Sequence, residues 1–171
     1  MDKMEERFAR VCRLLNTFDE GCEYVEEYNS LLHDYNGVVL YQAESQFIRK
    51  IGEEPGITIT ELSEFFKKTK SACSQLMYRM KKKGFLYQER NENNNREYNL
   101  YLTDDGEKLY HFHKAFEDRC YRRTAEMLDV FSDDELELYI RIQRKMNESF
   151  LLDVEESRNL DLKLKSTAKK R

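Results

Sequence analysis

The sequence predicts a mainly α-helical fold with one small β hairpin, and three observations support that fold class. Apolar residues recur every three or four positions over long stretches near both ends of the chain, as on one face of a helix. Between these stretches, two shorter helical patterns precede two strand-like segments. The only proline is Pro55, so the long stretches contain no proline that would interrupt a helix.

The N-terminal helix is predicted from one apolar stripe that continues to Tyr35. Gly21 is a position at which this helix can bend or split, and Asn36-Gly37 is expected to end it. The members of the stripe are spaced by three and four residues: Phe8, Val11, Cys12, Leu15, Phe18, Cys22, Val25, Tyr28, Leu32 and Tyr35.

A second helix is predicted over about residues 42–52, with Ala43, Phe47, Ile48 and Ile51 facing inward. The run at 53–56 contains Pro55 and ends this helix, because proline disfavours helical backbone in the residue before it. The β-branched residues at 57–59 then predict a short strand.

Two short helices follow this strand, each after a threonine that can cap it. Thr60 is expected to cap the third helix and Thr69 the fourth, since a threonine hydroxyl accepts hydrogen bonds from the first turn. Gly84 ends the fourth helix. The inward-facing residues are Leu62, Phe65 and Phe66 in the third helix and Cys73, Leu76, Met77 and Met80 in the fourth.

A β hairpin and two long helices complete the predicted fold. The hairpin joins strands at 85–90 and 96–102 through an asparagine-rich turn at 91–95. A long helix begins after Thr103 and runs to about Val130, and a last helix begins after Ser132. We expect one domain over 1–156, made of a winged helix-turn-helix (about 38–103) between long helices (about 4–35 and 103–156), and a basic, disordered tail at 157–171.

Charge is distributed unevenly along the chain, although the formal net charge is only −4. Residues 57–102 carry nine basic and five acidic side chains, and residues 158–171 carry six basic side chains and one acidic one. All other positions together carry a net charge of −13. A basic segment within an acidic body is typical of a protein that binds nucleic acid through one surface.

Residues 55–109 closely resemble the core of the MarR (multiple antibiotic resistance regulator) family of bacterial transcription factors. The resemblance rests on landmarks at the spacing of that family: Pro55-Gly56, the helix start at 60–63, the stretch from Ser71 to Leu76, the run at 82–86, Arg96, and Leu102-Thr103 with Gly106. It implies a winged helix-turn-helix with long N- and C-terminal dimerisation helices, and an obligate homodimer. The apolar stripes at 8–35 and 136–154 support a dimer independently, since they are larger than one winged core could cover.

By this resemblance the chain is a repressor that binds double-stranded DNA at an inverted repeat with half-sites about 10 bp apart. Short polar side chains on the fourth helix are suited to base edges, and longer basic or aromatic ones to phosphates. For base edges we predict Lys70, Ser71, Ala72, Ser74 and Gln75. For phosphates we predict Tyr78, Arg79, Lys82, Arg90 and Arg96, with Asn93, Asn94 and Asn95 as further contacts in the wing.

The wing departs from the family pattern at one position. The family usually has aspartate two residues before the wing arginine, where the pair is thought to form a salt bridge, and this chain has Asn94 there. We expect a more mobile wing in which Arg96 reaches phosphate more freely. Replacing Asn94 by aspartate should therefore change wing order or DNA affinity.

Other functions receive less support from the sequence. No catalytic motif, cofactor motif or C-x-x-C pair is present, so neither an enzyme, a cofactor nor a zinc site is predicted. His111 and His113 are two positions apart, so on a helix they would point in different directions and could not bind the same metal ion. His33 is a conceivable further metal ligand. By the resemblance, Cys22 leaves a redox-sensing regulator open, since some members of the family sense oxidants through a helix cysteine near tyrosines and Tyr24 and Tyr28 follow it here. A winged helix that binds protein is the other alternative.

The N-terminus lacks the basic and apolar regions of a signal peptide, so we predict a cytoplasmic protein with reduced thiols and no membrane partner. The resemblance to the family leaves a small-molecule effector open, without indicating its chemistry.

Overall fold

A computed structural model describes the chain over residues 2–92, 94 and 97–168, with side chains to residue 165. Its elements confirm the predicted fold class, in which helices dominate and a two-stranded wing follows the helix-turn-helix. The helices are α1 (Lys3–Ser30), α2 (Gln42–Glu53), α3 (Ile59–Phe65), α4 (Lys70–Lys82), α5 (Asp104–Leu128) and α6 (Asp133–Ala168). The strands are β1 (Leu32–Tyr35), β2 (Val38–Tyr41), β3 (Leu86–Arg90) and β4 (Tyr98–Leu102).

The chain divides into two compact units, Met1–Cys120 and Tyr121–Arg171. The winged helix-turn-helix lies wholly in the first unit. The single domain over 1–156 that the sequence suggests stays a prediction. None of the described helices has the combination of length and apolar character that crossing a bilayer requires.

The predicted continuation of the first helix to Tyr35 is wrong, because α1 ends at Ser30 and an antiparallel hairpin follows. Asn36 and Gly37 form its turn with φ of 57° and 89°, the left-handed backbone of a type I′ hairpin. The backbone N–H of Gly37 donates to the Asp34 carboxylate. The spacing of Leu32 and Tyr35 fits a helical face, but the Asn-Gly pair is a strong hairpin signal that the helix prediction treated only as a stop. Gly21 lies within the uninterrupted α1.

The start of α3 also differs from the prediction. Thr58, not Thr60, is the N-cap: its hydroxyl accepts from the Glu61 N–H, and the Glu61 carboxylate accepts from the Thr58 N–H at 2.8 Å. The Thr58 N–H and the Thr58 hydroxyl both donate to this carboxylate, and they lower the pKa of Glu61 because they stabilise its ionised form. The strand predicted at 57–59 is reduced to a single bridge between Thr58 and Asn99. Thr60 therefore lies inside the helix, and its hydroxyl can serve another partner.

One core lies beneath α2, α3, α4 and the wing. Thr69 caps α4 as predicted, its hydroxyl accepting from the Ala72 N–H, and Gly84 follows the helix with a φ of 82°. Phe65, predicted to face inward, is 56% exposed and lies under the Lys50 ammonium. The buried apolar residues include Tyr35, Leu40, Phe47, Ile48, Ile51, Leu62, Cys73, Leu76, Met80, Leu86, Leu100 and Leu109.

The start of α5 is fixed against the connection between α4 and the wing. The Thr103 hydroxyl donates to the Gly84 carbonyl at 2.6 Å and accepts from the Gly106 N–H at 3.1 Å. A Cβ atom at Gly106 would lie 1.9 Å from the Phe85 carbonyl oxygen, so no larger residue fits without a backbone shift. The close approach of the Phe85 carbonyl to the α5 backbone therefore requires a residue without a side chain at position 106.

The last helix is longer than predicted, since α6 continues to Ala168. Part of the tail predicted to be disordered from residue 157 is therefore helical. The apolar spacing that suggested an end near Val154 weakens there, but the following residues include leucines and charged side chains that favour helix.

Candidate nucleic-acid interface

The outward face of α4 is polar and accessible because the opposite face is held in the core. Cys73, Leu76 and Met80 are buried, and this fixes which way the helix turns its remaining side chains. Of the residues predicted to contact DNA, Ala72 and Ser74 are half-buried. The others on this helix are exposed: Lys70, Ser71, Gln75, Tyr78, Arg79 and Lys82.

A groove of about 530 Å³ separates α4 from the wing. Lys70 and Ser74 line it on the helix side, and Gln88, Asn94 and Tyr98 line it on the wing side. The structure thus brings predicted base-contacting residues of the helix to the same groove as the described part of the wing. An open groove with polar side chains on both walls, beside an exposed helix, can accommodate a charged backbone such as that of a nucleic acid.

Glu97 connects the wing to the two helices of the helix-turn-helix. One carboxylate oxygen accepts from the Thr60 hydroxyl at 2.8 Å, and the Lys70 ammonium donates to that hydroxyl at 2.9 Å. The other carboxylate oxygen accepts from the Asn94 amide at 3.0 Å. This role of Glu97 was not predicted from the sequence, since its partners are 37 positions away in one case and only three in the other.

Asn94 is therefore held by a carboxylate that the sequence analysis did not consider. Its backbone N–H also donates to the Asn91 side chain at 2.9 Å, and the Asn91 amide donates to Asn99 across the hairpin at 2.8 Å. Arg90 is exposed at the end of β3. Asn93, Asn95 and Arg96 lie outside the described residues, so the proposed freedom of Arg96 stays a prediction.

Glu44 forms a second connection that the sequence analysis missed. Its carboxylate is buried at the start of α2 and accepts from Arg79 Nε at 3.3 Å and Lys83 Nζ at 3.2 Å. It also accepts from the backbone N–H of Tyr41 at 3.3 Å. A glutamate at the third position of a helix is a known capping signal, which could have indicated the contact with Tyr41. The basic partners, Arg79 on α4 and Lys83 at its C-terminal cap, could not be found without the tertiary structure.

The four cysteines are free thiols. Cys73 is buried in the core, and burial raises the pKa of its thiol, which disfavours the reactive thiolate. Cys22 is exposed on α1, and Tyr24 on the same helix donates its hydroxyl to Glu20 at 3.2 Å. Redox sensing by Cys22 stays a prediction.

The three histidines occupy different environments. His113 is buried against Tyr35, and its Nδ1 lies 3.6 Å from a carboxylate oxygen of Glu117. His33 Nε2 is within hydrogen-bond distance of the Tyr28 carbonyl, at 3.0 Å, and His111 is exposed. Within the described part of the chain, no three His, Cys, Asp or Glu side chains are grouped as metal ligands.

Known proteins with similar sequences include two bacterial regulators. The chain is 24% identical over 107 residues to the HTH-type transcriptional regulator YhjH of Bacillus subtilis, a match that covers 63% of this chain and 61% of that protein. It is 29% identical over 99 residues to the transcriptional regulator HosA of Escherichia coli O157:H7, covering 58% of this chain and 71% of that protein. The chain thus spans less than two thirds of YhjH.

Solved structures share the fold. FabT of Streptococcus pneumoniae, crystallised in complex with DNA, aligns with a TM-score of 0.63 at 21% identity, covering 86% of this chain and 99% of that chain. ZitR of Lactococcus lactis, a zinc-responsive MarR family member, aligns with a TM-score of 0.68 at 17% identity, covering 82% and 99%.

The fold and this surface define a winged helix-turn-helix protein. Residues 40–98, which run from the end of β2 into β4, match the profile of the MarR family. This match confirms the resemblance to the MarR family described from the sequence. The relatives it matches are transcriptional regulators and not enzymes.

Proposed function

We propose that this chain is a transcriptional regulator that binds specific sequences of double-stranded DNA as a homodimer. The observation that carries the proposal is the exposed polar face of α4, which lies beside a groove shared with the wing. A helix of this kind fits the major groove of B-DNA, where each base pair presents a distinct pattern of donors and acceptors.

The predicted residue roles fit the side chains that α4 presents. Gln75 can pair with adenine through two hydrogen bonds, Ala72 can contact a thymine methyl group, and Ser71 and Ser74 are short enough for base edges. Lys70 begins the helix beside them. The proposed phosphate contacts are Tyr78, Arg79 and Lys82 on α4 and Arg90 and Arg96 in the wing, with Asn93, Asn94 and Asn95 beside them.

Exposed apolar side chains on the long helices support a homodimer. On α1, Phe8 is 69% exposed, and on α6 Ile140 and Val154 are also exposed. Apolar stripes of this length are costly in water and are typical of a surface that another chain covers. A symmetric dimer would present two copies of α4 to an inverted repeat, and occupancy of such an operator would repress transcription by excluding polymerase.

A binding assay with increasing salt tests the proposal. Affinity for a sequence selected from random duplex DNA should fall steeply and linearly on a plot of log K against log salt, because bound phosphates release counterions. Changing Ser74 and Gln75 to alanine should relax sequence preference, whereas Arg96→Ala should weaken all sequences alike. A protein that binds no duplex at low salt would instead support the winged helix as a protein-interaction module.

Two parts of the proposal rest on the family resemblance alone. One is a small-molecule effector, and the other is a response to oxidants through Cys22. Adding a thiol oxidant to the same assay tests the second, since a Cys22→Ser variant should then keep its affinity while the wild-type protein loses it.

A further inference from the structure

The buried carboxylate of Glu44 is an unusual feature of the surface that faces DNA in the proposed function. Only 6% of its side chain is exposed, yet it is paired with two basic side chains, Arg79 of α4 and Lys83 just after that helix, which are 52% and 41% exposed. A buried carboxylate is costly unless several donors satisfy it. Here both oxygens are used, since Lys83 Nζ lies within 3.3 Å of each, Arg79 donates to one and the Tyr41 N–H donates to the other.

The geometry of the arginine contact is one-sided. Arg79 donates through Nε, and among the described residues its two terminal Nη groups have no hydrogen-bond partner. A guanidinium held at Nε keeps its Nη pair available on the far side of a rigid planar group. Such a pair is suited to phosphate, with which arginine forms two parallel hydrogen bonds.

The position of Arg79 on α4 places it at the edge of the exposed face. It follows Gln75 by four residues, which is about 40° around the helix. It follows Ala72 by seven residues, so it lies near the same line along the helix axis. Arg79 is therefore at the border between the face proposed for DNA and the side that packs on α2.

We propose that Glu44 is a positioning residue, which binds Nε of Arg79 so that the Nη groups of Arg79 face a DNA phosphate. The inference rests on the proposed function. One negative charge is set against two positive ones, so the cluster keeps a net positive charge toward DNA. Glu44 also accepts from the start of α2, and the same carboxylate therefore fixes both the helix and the arginine.

A near-isosteric change tests this role. Glu44→Gln removes the charge, and an amide has only one acceptor oxygen for the three donors. Glu53→Gln is the matched control, because it removes a charge from the same helix, where Glu53 pairs with the Arg49 side chain at 2.8 Å. For each variant and for Arg79→Ala, affinity for the selected duplex and its salt dependence would be measured. Thermal unfolding without DNA would be recorded beside them.

The expected result is an equal loss of DNA affinity in the two variants. Glu44→Gln and Arg79→Ala should each weaken binding by about tenfold, as for one hydrogen bond to a charged group. The slope of log K against log salt should decrease in magnitude by about 0.9 for each bound protomer. Combining the two changes should cost no more than Arg79→Ala alone, and Glu53→Gln should bind as the wild type does.

Three outcomes would overturn the inference while leaving the proposed function intact. Glu44→Gln could bind DNA more tightly with a steeper salt slope, which would mean that Glu44 competes with phosphate for Arg79. Glu44→Gln could instead bind DNA with unchanged affinity, or Glu53→Gln could lose as much DNA affinity as Glu44→Gln does. Failure of the wild-type protein to bind any duplex would overturn both proposals. If Glu44→Gln does not fold, Arg79→Lys provides the test. Its ammonium can be held by Glu44 but cannot then present a planar pair of donors to phosphate, so this variant should lose affinity as Arg79→Ala does. Affinity equal to that of the wild type would overturn the inference.

Discussion

The two compact units differ in where their apolar side chains lie. In the first unit, Phe47, Ile48, Ile51 and Leu62 have no exposed surface and form a continuous core with the wing. In the second unit, none of the side chains from 121 to 165 is buried, although Phe131, Leu138 and Leu151 are about half exposed. The first unit therefore contains its own core. The second unit consists of helices whose apolar faces are not buried by any other described part of the unit.

A matched pair of isoleucines gives the largest expected effect and tests this difference. Ile48→Ala should lower the free energy of unfolding by about 2–5 kcal/mol at every protein concentration, because it leaves a cavity in the core. Ile140→Ala should act mainly by weakening the association of the two protomers, so its loss in thermal stability should depend on protein concentration. Calorimetry at several concentrations, with sedimentation to follow the dimer, measures both. Equal, concentration-independent losses would show that the units do not differ in this way.

A smaller effect is expected where α5 begins. Gly106→Ala places a Cβ 1.9 Å from the Phe85 carbonyl oxygen, so the backbone must shift. We expect a loss of about 1–3 kcal/mol in the free energy of unfolding, as for overpacking. Gly21→Ala is the control, because a Cβ there meets nothing within 4 Å and alanine favours helix. Chemical denaturation should show the first variant destabilised and the second unchanged or stabilised.

The pH dependence of stability should depend on His113. Burial lowers the pKa of this histidine, with Glu117 opposing the shift, Arg49 and His33 adding to it, and Glu53 also opposing it. The unfolded chain therefore takes up a proton near the ordinary histidine pKa of about 6.5, before the folded chain does. Stability should be greatest above that pH and fall as the pH decreases toward the lowered value.

His113→Phe should flatten this dependence between about pH 7 and pH 5, since phenylalanine does not titrate. His111→Gln is the control, because it removes an exposed histidine from the same helix. Denaturation at a series of pH values measures the effect. A wild-type slope that survives in His113→Phe would assign the pH dependence to other groups.

The smallest expected effect concerns the wing. The Asn94 amide donates to Glu97 at 3.0 Å, so Asn94→Asp would replace this hydrogen bond with two neighbouring carboxylates. We expect faster hydrogen exchange in the wing and a loss of DNA affinity of about 1 kcal/mol or less. Asn94→Ala removes the hydrogen bond without adding a charge and should have a smaller effect. An Asn94→Asp variant with a more protected wing would mean that a partner other than Glu97 dominates.

The helix-turn-helix was predictable because its signals are local. Thr69 and Gly84 delimit α4, and the spacing of Cys73, Leu76 and Met80 determines its buried face. The hairpin of β1 and β2 was missed because the spacing of Leu32 and Tyr35 fits one face of a helix. In the strand, residues three apart point to opposite faces, so Tyr35 is buried and Leu32 is exposed. Thr60 was assigned as a cap on residue type alone, and the structure shows that the capping box begins two residues earlier.

By itself the sequence determined the fold class, the bounds of α2 and α4 to within a residue or two, and the outward face of α4. These properties depend on periodicity and on capping residues, which act within a few positions of the chain. Only the tertiary structure brought Glu44 to Arg79 and Lys83, and Glu97 to Thr60. These partners are 35 to 39 positions apart, and no local pattern specifies which distant donor a buried carboxylate meets.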